Sequence, residues 1–272
     1  NCVMAVLVLF RNDLRLDDNP ALLKAVDTGL PIILLYILDS ENQRLLGGAC
    51  RWWLHHSLKS LDQTFQKLDC KLILRQGDTQ QILDQFIKDF KISHVFWNRR
   101  YDQSGMVQDK NLKVWVKTQG LICQSFQGNV LFEPHTIKNN QGQSFKVFTP
   151  FWKYCLTQPQ PETAQMAPKH IHHYNTYNII SESLDSWNLL PTQPDWSGGL
   201  RKTWQPGEKE AYSRLNTFIH GGLLNYKSQR DFPALPSTSL LSPYLRFGEI
   251  SVRRIWHTIH SHQLINPEIQ KD

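Results

Sequence analysis

"VLVLFRNDLRLDDNPALLKAVDTG", residues 6–29, joins five consecutive apolar residues to a helical pattern through a charged turn. VLVLF is apolar at every position, which is the pattern of a strand buried on both faces. Asn19 followed by Pro20 supplies an N-cap and a first-turn proline, and Gly29 can close the helix, so residues 20–28 read as a short helix. The turn between them, Phe10-Arg11-Asn12-Asp13-Leu14-Arg15, contains no glycine. It cannot bring backbone against a pyrophosphate as GxGxxG does, which argues against an ordinary NAD domain.

The same alternation continues outward. IILLYIL (32–38), CKLILR (70–75), HVFW (94–97) and LICQSF (121–126) are apolar runs of strand length. Leu54, Leu58, Leu61, Phe65 and Leu68 recur at steps of four and three, which puts them on one face of a second helix whose other face is polar. Gly77-Asp78-Thr79 opens a third helix carrying Ile82, Phe86 and Ile87, and residues 107–119 form a fourth. Strand and helix in alternation, as far as residue 130, predict an α/β unit with a parallel, Rossmann-like sheet covered on both faces. Ligands of such sheets sit beyond the carboxyl ends of the strands. The fourth strand ends in Trp97-Asn98-Arg99-Arg100-Tyr101-Asp102, where rings and guanidinium groups suit a flat, anionic molecule. A core Trp97 beside solvated Arg99 and Arg100 satisfies the same spacing.

Composition bounds the rest. At 272 residues, with 40% hydrophobic and 11% aromatic content, the chain can bury one large core or two modest ones. No run is long enough to span a membrane, and the N-terminal VMAVLVLF is short and lacks a basic flank and cleavage site. The five cysteines (Cys2, Cys50, Cys70, Cys123, Cys155) are odd in number and scattered, without metal-ligand spacing or the density of a disulfide scaffold. A reducing, cytoplasmic location is the expectation. A formal net charge of +6 and a pI of 9.0 admit a polyanionic partner, although solvated lysines give the same balance.

Residues 131–205 lose the periodicity and accumulate prolines and glutamines, as in TQPQPETAQMAPKH and LLPTQPDWSGG, so they read as a connection draped over the protein. FKVFTPFWKYC at 145–155 places five aromatic rings in eleven residues, suited to docking on both flanking parts. After Pro206-Gly207-Glu208 the signal turns helical, with Ala211, Leu215, Phe218 and Ile219 on one face and Gly221-Gly222 at the end. In YKSQRDFPALPSTSLLSPYLRFGEIS (226–251), Ser242 before Pro243 reads as an N-cap with proline at the first helical position. Gly248 sits where that helix would end, and Ser251 can cap the next, VRRIWHTIHS. Thr238 and Ser239 offer hydroxyls and backbone N–H groups suited to phosphate oxygens, or simply to capping.

These residues carry a resemblance. FRNDLRLDDNPAL (10–22), RWWLHHSLKSL (51–61), WNRRYD (97–102), KVFTPFWK (146–153), QPGE (205–208) and QRDFPALPSTSLLSPYLRFGEIS (229–251) occur in the order of the N-terminal part of the DNA photolyase and cryptochrome family. The chain is most similar to the bacterial class I cyclobutane pyrimidine dimer photolyases. The match runs over nearly the whole sequence.

The resemblance implies a Rossmann-like antenna domain over residues 1–135, an interdomain connector over 136–205 and the start of an all-α FAD-binding domain over 206–272. It implies FAD held by Tyr226, Thr238, Ser239, Leu240, Leu241 and Ser242, the leucines through backbone N–H. It also implies a monomer acting on UV-damaged DNA, with Arg230 and Lys153 on the phosphate-facing surface. In the family, light-excited reduced FAD donates an electron to a flipped-out pyrimidine dimer. The antenna pigment is a methenyltetrahydrofolate or an 8-hydroxy-deazaflavin. The Asn-Glu pair with which some members hold a folate would fall on Ser104 and Gly105, where it is absent, and Asp102 and Gly105 are the candidates for a deazaflavin. Family members continue well past the length of this chain, which ends at Asp272. No catalytic residue is assigned within it: the catalytic part and the rest of the flavin pocket are expected beyond Asp272. The chain is therefore expected to be a piece that is inactive alone and holds FAD poorly. A cryptochrome-like photoreceptor and a stand-alone antenna module are the alternatives.

Overall fold

The computed structural model describes residues 3–39, 46–128, 159–175, 178–222 and 237–265. Five parallel strands form one sheet: β1 (Ala5–Phe10), β2 (Ile32–Leu38), β3 (Leu72–Gln76), β4 (Ile92–Asn98) and β5 (Ile122–Phe126), in the order β3-β2-β1-β4-β5. Between them run α1 (Pro20–Asp27), α2 (Gly48–Gln66), α3 (Thr79–Asp89) and α4 (Gln103–Thr118). This is the doubly wound α/β arrangement that the alternation predicts.

Burial explains why β1 shows no polar position. Val6, Val8 and Phe10 pack toward α1 and α2, whereas Ala5, Leu7 and Leu9 pack toward α3 and α4. A central strand with helices on both faces has no solvent side to mark. Asn19 caps α1 by accepting the Leu22 N–H at 3.1 Å, and Asp78 caps α3 through Gln81. Leu83 and Phe86 are the buried residues of α3, so Leu83 takes the place foreseen for Ile82 and Ile87, which are half-buried. The fourth helix begins at Gln103, four residues before the expected start.

The largest departure concerns α2. Leu54, Leu58, Leu61 and Phe65 face the sheet as expected, yet Trp52, Trp53, His55 and Ser57 are buried as well. A second layer covers the face that the spacing marks as polar. It consists of α5 (Gly198–Thr203), α6 (Glu208–Thr217) continued by a π-turn (Phe218–Gly222), α7 (Ser237–Arg246) and α8 (Val252–Ile265). Trp53 sits against Trp204, Tyr244 and Phe247, with ring centroids 5.7, 4.9 and 6.3 Å away.

The described part of the connector guards a sheet edge. Leu74 donates its N–H to Ser181 Oγ at 3.0 Å, Glu182 donates its N–H to the Leu74 carbonyl at 2.9 Å, and Gln76 donates to Glu182 Oε2 at 2.6 Å. These bonds occupy edge groups of β3 that would otherwise invite another strand. Ile179, Trp187 and Leu189 anchor the segment in the core.

At the C-terminal end, Gly248 (φ 65°) follows α7, and Ser251 Oγ accepts the Arg254 N–H at 2.9 Å to cap α8, both as expected. Ser242 is not an N-cap. α7 begins at Ser237 and carries Pro243 in its interior. A proline there removes one helical bond and crowds the preceding turn, at a cost of about 3 kcal/mol. The full burial of Leu241 and Tyr244 on the same helix offsets it. Packing overrides the local Ser-Pro signal.

Candidate functional site

Two sites converge on the turn that follows β1. The first is a cleft of about 310 Å³ beyond the carboxyl ends of the strands. Leu9, Phe10 and Arg11 enter it from β1, Ile37 and Asp39 from β2, Asp78, Thr79 and Gln80 from the start of α3, and Arg100, Gln108, Asp109, Asn111 and Leu112 from β4 and α4. Chain order reverses between β1 and β4. Crossovers leave in opposite directions there, which opens a crevice in this class of sheet.

Asp109 organises its polar wall. It pairs with Arg11 at 2.6 Å and with Arg100 at 2.7 Å, and all three side chains are only 11–12% exposed. Arg11 also donates to the Asn98 backbone carbonyl at 2.7 Å and lies 5.5 Å over the Trp97 ring. Burial alone would push the Asp109 carboxyl up, but the attraction of Arg11 and hydrogen bonds from Arg11 and Arg100 hold it below the ordinary carboxylate range. Burial moves Arg11 in the unfavourable direction. The carboxyl is the informative partner, because a guanidinium stays charged at any working pH.

Trp97 is core, at 1% exposure. Arg100 and Arg99 are neither solvated nor free for an anion: Arg100 is held by Asp109, and Arg99 donates to the Ser125 carbonyl at 2.7 Å. With two arginines and three aspartates on its wall, the cleft suits a ring system rich in hydrogen-bonding groups better than a phosphate. Asp102 and Gly105 lie outside the lining. Asp102 caps α4 through the Gly105 N–H at 2.8 Å, and a Cβ at Gly105 would stand 2.6 Å from its carboxylate.

Asn98 ties cleft to turn. Its amide donates to Asp13 Oδ2 and Asn19 Oδ1, each at 2.7 Å, and its side-chain oxygen accepts the Ala21 N–H at 3.1 Å. Every partner is buried. Asn98→Ala should therefore lower unfolding free energy by about 2–4 kcal/mol, since each orphaned buried group costs about 1 kcal/mol or more. A change below about 1 kcal/mol in urea melts would show that the network carries little.

The second site is the seam between this turn and the helical layer. Arg15 is fully buried and donates to the carbonyls of Asp17, Asp18, Gly248 and Gly128. Asp17 receives Arg254 through two bonds at 2.9 and 3.0 Å and the Tyr212 hydroxyl, and Asp18 pairs with Arg253 at 3.1 Å. Glu208 accepts the N–H groups of Leu16 and Asp17, both at 2.9 Å.

Of the residues assigned to FAD, Leu241 is buried in the core, and Thr238, Ser239, Leu240 and Ser242 lie on α7. The N–H groups left without helical partners are those of the first turn, Ser237 to Ser239; those of Leu241 and Ser242 fall within the helix. Tyr226, Arg230, Lys153 and the aromatic stretch 145–155 lie outside the described residues. So does Asp272, since the described residues stop at 265. Asp109, Arg11 and Asn98 were not foreseen. Asp109 could have been, because it shares a helical face with Gly105, Leu112 and Val116, and an acid on an apolar face calls for a buried partner. No helix among the described residues is long and apolar enough to cross a membrane, and no metal-ligand cluster occurs among them.

Comparison with known proteins agrees with the geometry. The family model for DNA photolyase matches residues 6–169, more than half of the chain. A deoxyribodipyrimidine photo-lyase of Agrobacterium fabrum is 44% identical over 93% of this chain and 52% of its own length. Cryptochrome-1 of Arabidopsis thaliana is 34% identical over 95% of this chain and 38% of its own. The crystal structure of a bacterial class III photolyase from Agrobacterium tumefaciens superposes with a TM-score of 0.84 at 40% identity, covering 99% of this chain and 57% of that one. That relative is named class III, whereas the motifs resemble class I; the similarity carries the family and not the subclass. The chain thus spans about half the length of the photo-lyases it matches. With the doubly wound sheet, its switch-point cleft and this match in hand, the chain belongs to the DNA photolyase family.

Proposed function

We propose that this chain is the antenna part and the beginning of the flavin part of a deoxyribodipyrimidine photo-lyase, which repairs cyclobutane pyrimidine dimers in UV-damaged DNA. The observation that carries this reading is the 44% identity to a photo-lyase across 93% of the chain. FAD, when bound, would supply light-driven electron chemistry in which an electron is lent to the dimer and returned once the ring has split. The chain's own contribution is positional; the catalytic groups would come from the part of the photo-lyases that lies outside the matched span. The free N–H groups of Ser237, Thr238 and Ser239 open α7 and suit the flavin pyrophosphate, since bare amides and the helix dipole both favour negative charge.

The switch-point cleft would hold the antenna pigment, a methenyltetrahydrofolate or an 8-hydroxy-deazaflavin. Leu9, Ile37 and Leu112 offer apolar surface, while Gln80, Gln108 and Asn111 offer amides to the edge of a ring. About 310 Å³ lies at the lower end for small-molecule pockets and suits the ring system of such a pigment. Arg230 and Lys153 would face DNA phosphates.

A chimera tests the reading. Residues 1–272 are joined to the part of the Agrobacterium photo-lyase that lies beyond the match, and the product is assayed for FAD and for blue-light repair of UV-irradiated DNA. Light-dependent loss of dimers is expected. A chimera that binds FAD and leaves dimers intact would favour the photoreceptor reading, to which the 34% identity with a cryptochrome points. Pigment without FAD would favour a stand-alone antenna module.

A further inference from the structure

The seam holds a buried carboxyl group with no cation against it among the described residues. Glu249 is fully buried, and its Oε1 accepts a hydrogen bond from Trp53 Nε1 of α2 at 2.5 Å. Its Oε2 has no aligned partner, and neither has the hydroxyl of Ser57, buried one turn along α2. The Ser57 hydroxyl and the Gly207 amide stand near enough to favour an ionised carboxyl, but neither is directed at Oε2.

The charged groups around it are already committed. On the turn after β1, Arg15 spends its donors on carbonyls, including that of Gly248 next to Glu249. On α8, Arg253 and Arg254 are taken by Asp18 and Asp17. On α6, Arg214 bonds Glu210 and the Thr203 carbonyl, and on α7 the Tyr244 hydroxyl donates to the Gln205 carbonyl. The charged neighbour that acts on Glu249 is another acid, Glu208 at the start of α6.

We propose that Glu249 is a proton switch for the seam: as a neutral acid it lets α2, α6 and the turn 247–251 close around it, and on ionisation the seam opens. The neutral acid can donate its Oε2 proton to the Ser57 oxygen, which satisfies two buried atoms with one bond. Loss of that proton to solvent leaves a buried anion bonded by the Trp53 N–H alone, with repulsion from Glu208 and no counter-ion among the described residues. The switch needs no flavin, although α7 ends in this turn and is docked through it.

The direction of the pH dependence follows. Burial pushes the Glu249 carboxyl up to about 8 against the opposing hydrogen bonds, with Glu208 adding the smallest contribution, and burial pushes Glu208 up to about 7. In the unfolded chain a glutamate ionises near about 4.3. Both groups therefore give stability that is complete in acid and is lost as pH rises towards about 8.

The test compares urea unfolding of the whole 272-residue chain with that of Glu249→Gln from about pH 6 to about pH 8. The wild-type folding constant is expected to fall roughly tenfold per pH unit relative to the variant, the limit for one linked proton. Equal pH slopes in the two proteins would overturn the proposal. Should Glu249→Gln fail to fold, infrared spectra of the wild type and of Glu208→Gln decide. A carboxylic-acid carbonyl band present in both at neutral pH and absent in alkali supports the switch; a neutral-pH spectrum of Glu208→Gln without that band sinks it.

Discussion

Replacing Gly248 with alanine should lower unfolding free energy by about 3–5 kcal/mol, a loss large enough to unfold a marginal chain. Two costs combine. The residue has φ 65°, where a Cβ meets the neighbouring carbonyl at about 1–2 kcal/mol. An added Cβ would also fall inside the Asn12 carbonyl group and against the Cα of Asp13, both backbone, which cannot rotate away. Overpacking a tight contact costs about 1–3 kcal/mol more. The turn after β1 would have to withdraw, breaking the bond from the Leu14 N–H to the Phe247 carbonyl at 3.1 Å and that from Arg15 to the Gly248 carbonyl at 3.0 Å. Gly29→Ala is the control, since its φ is 69° but nothing lies within 4 Å of the added carbon. Equal losses at both positions would show that only backbone conformation matters and that the seam is not tightly packed.

This seam marks the limit of what the sequence discloses. The strands were legible because a central parallel strand is apolar throughout, and the caps Asn19, Asp78 and Ser251 were legible because a cap bonds a backbone N–H three residues along the chain. Arg15 meeting Gly248, Trp53 meeting Glu249 and Asp17 meeting Arg254 join residues about two hundred positions apart. No periodicity records such a meeting. α2 shows the consequence: Leu54 through Phe65 announce the face toward the sheet, while Trp53 and Ser57 reveal a second buried face only once α6 and α7 are in place.

The same reasoning separates Ser242 from Ser251. Both are serines ahead of a helical pattern, and only Ser251 caps. Around Ser242, burial of Leu241 and Tyr244 extends the helix backward through Pro243, so tertiary packing outweighs a local signal worth about 3 kcal/mol. The unpaired amides then fall on the first turn at 237–239, which keeps the expected Thr238 and Ser239 and leaves out Leu241 and Ser242. In the cleft, a start of α4 at residue 107 drops Gly105 but keeps Asp109 on one face with Leu112 and Val116, so the buried acid is legible while its two arginine partners are not.

Asp109→Ala should cost about 3–5 kcal/mol, because it leaves two buried guanidinium groups facing each other without a counter-ion. Arg11 and Arg100 converge on this one carboxylate at 2.6 and 2.7 Å, with about nine-tenths of each side chain shielded from water. Neither can shed its charge. Their repulsion, screened by Asp109 in the wild type, would push Arg100 toward solvent and enlarge the cleft wall at the position proposed for the pigment. Asp109→Ala combined with Arg11→Leu should recover part of the loss, since it removes one of the stranded charges; a double mutant as unstable as the sum of both single changes would deny the coupling. Acid provides the independent check. The Asp109 carboxyl is held below its ordinary range, so its stabilising effect is present above the unfolded value and is lost as pH falls through the lower, folded one. Wild type should thus lose stability below about pH 4 faster than Asp109→Ala does. If the two curves stay parallel into acid, the carboxylate does not hold the arginines together.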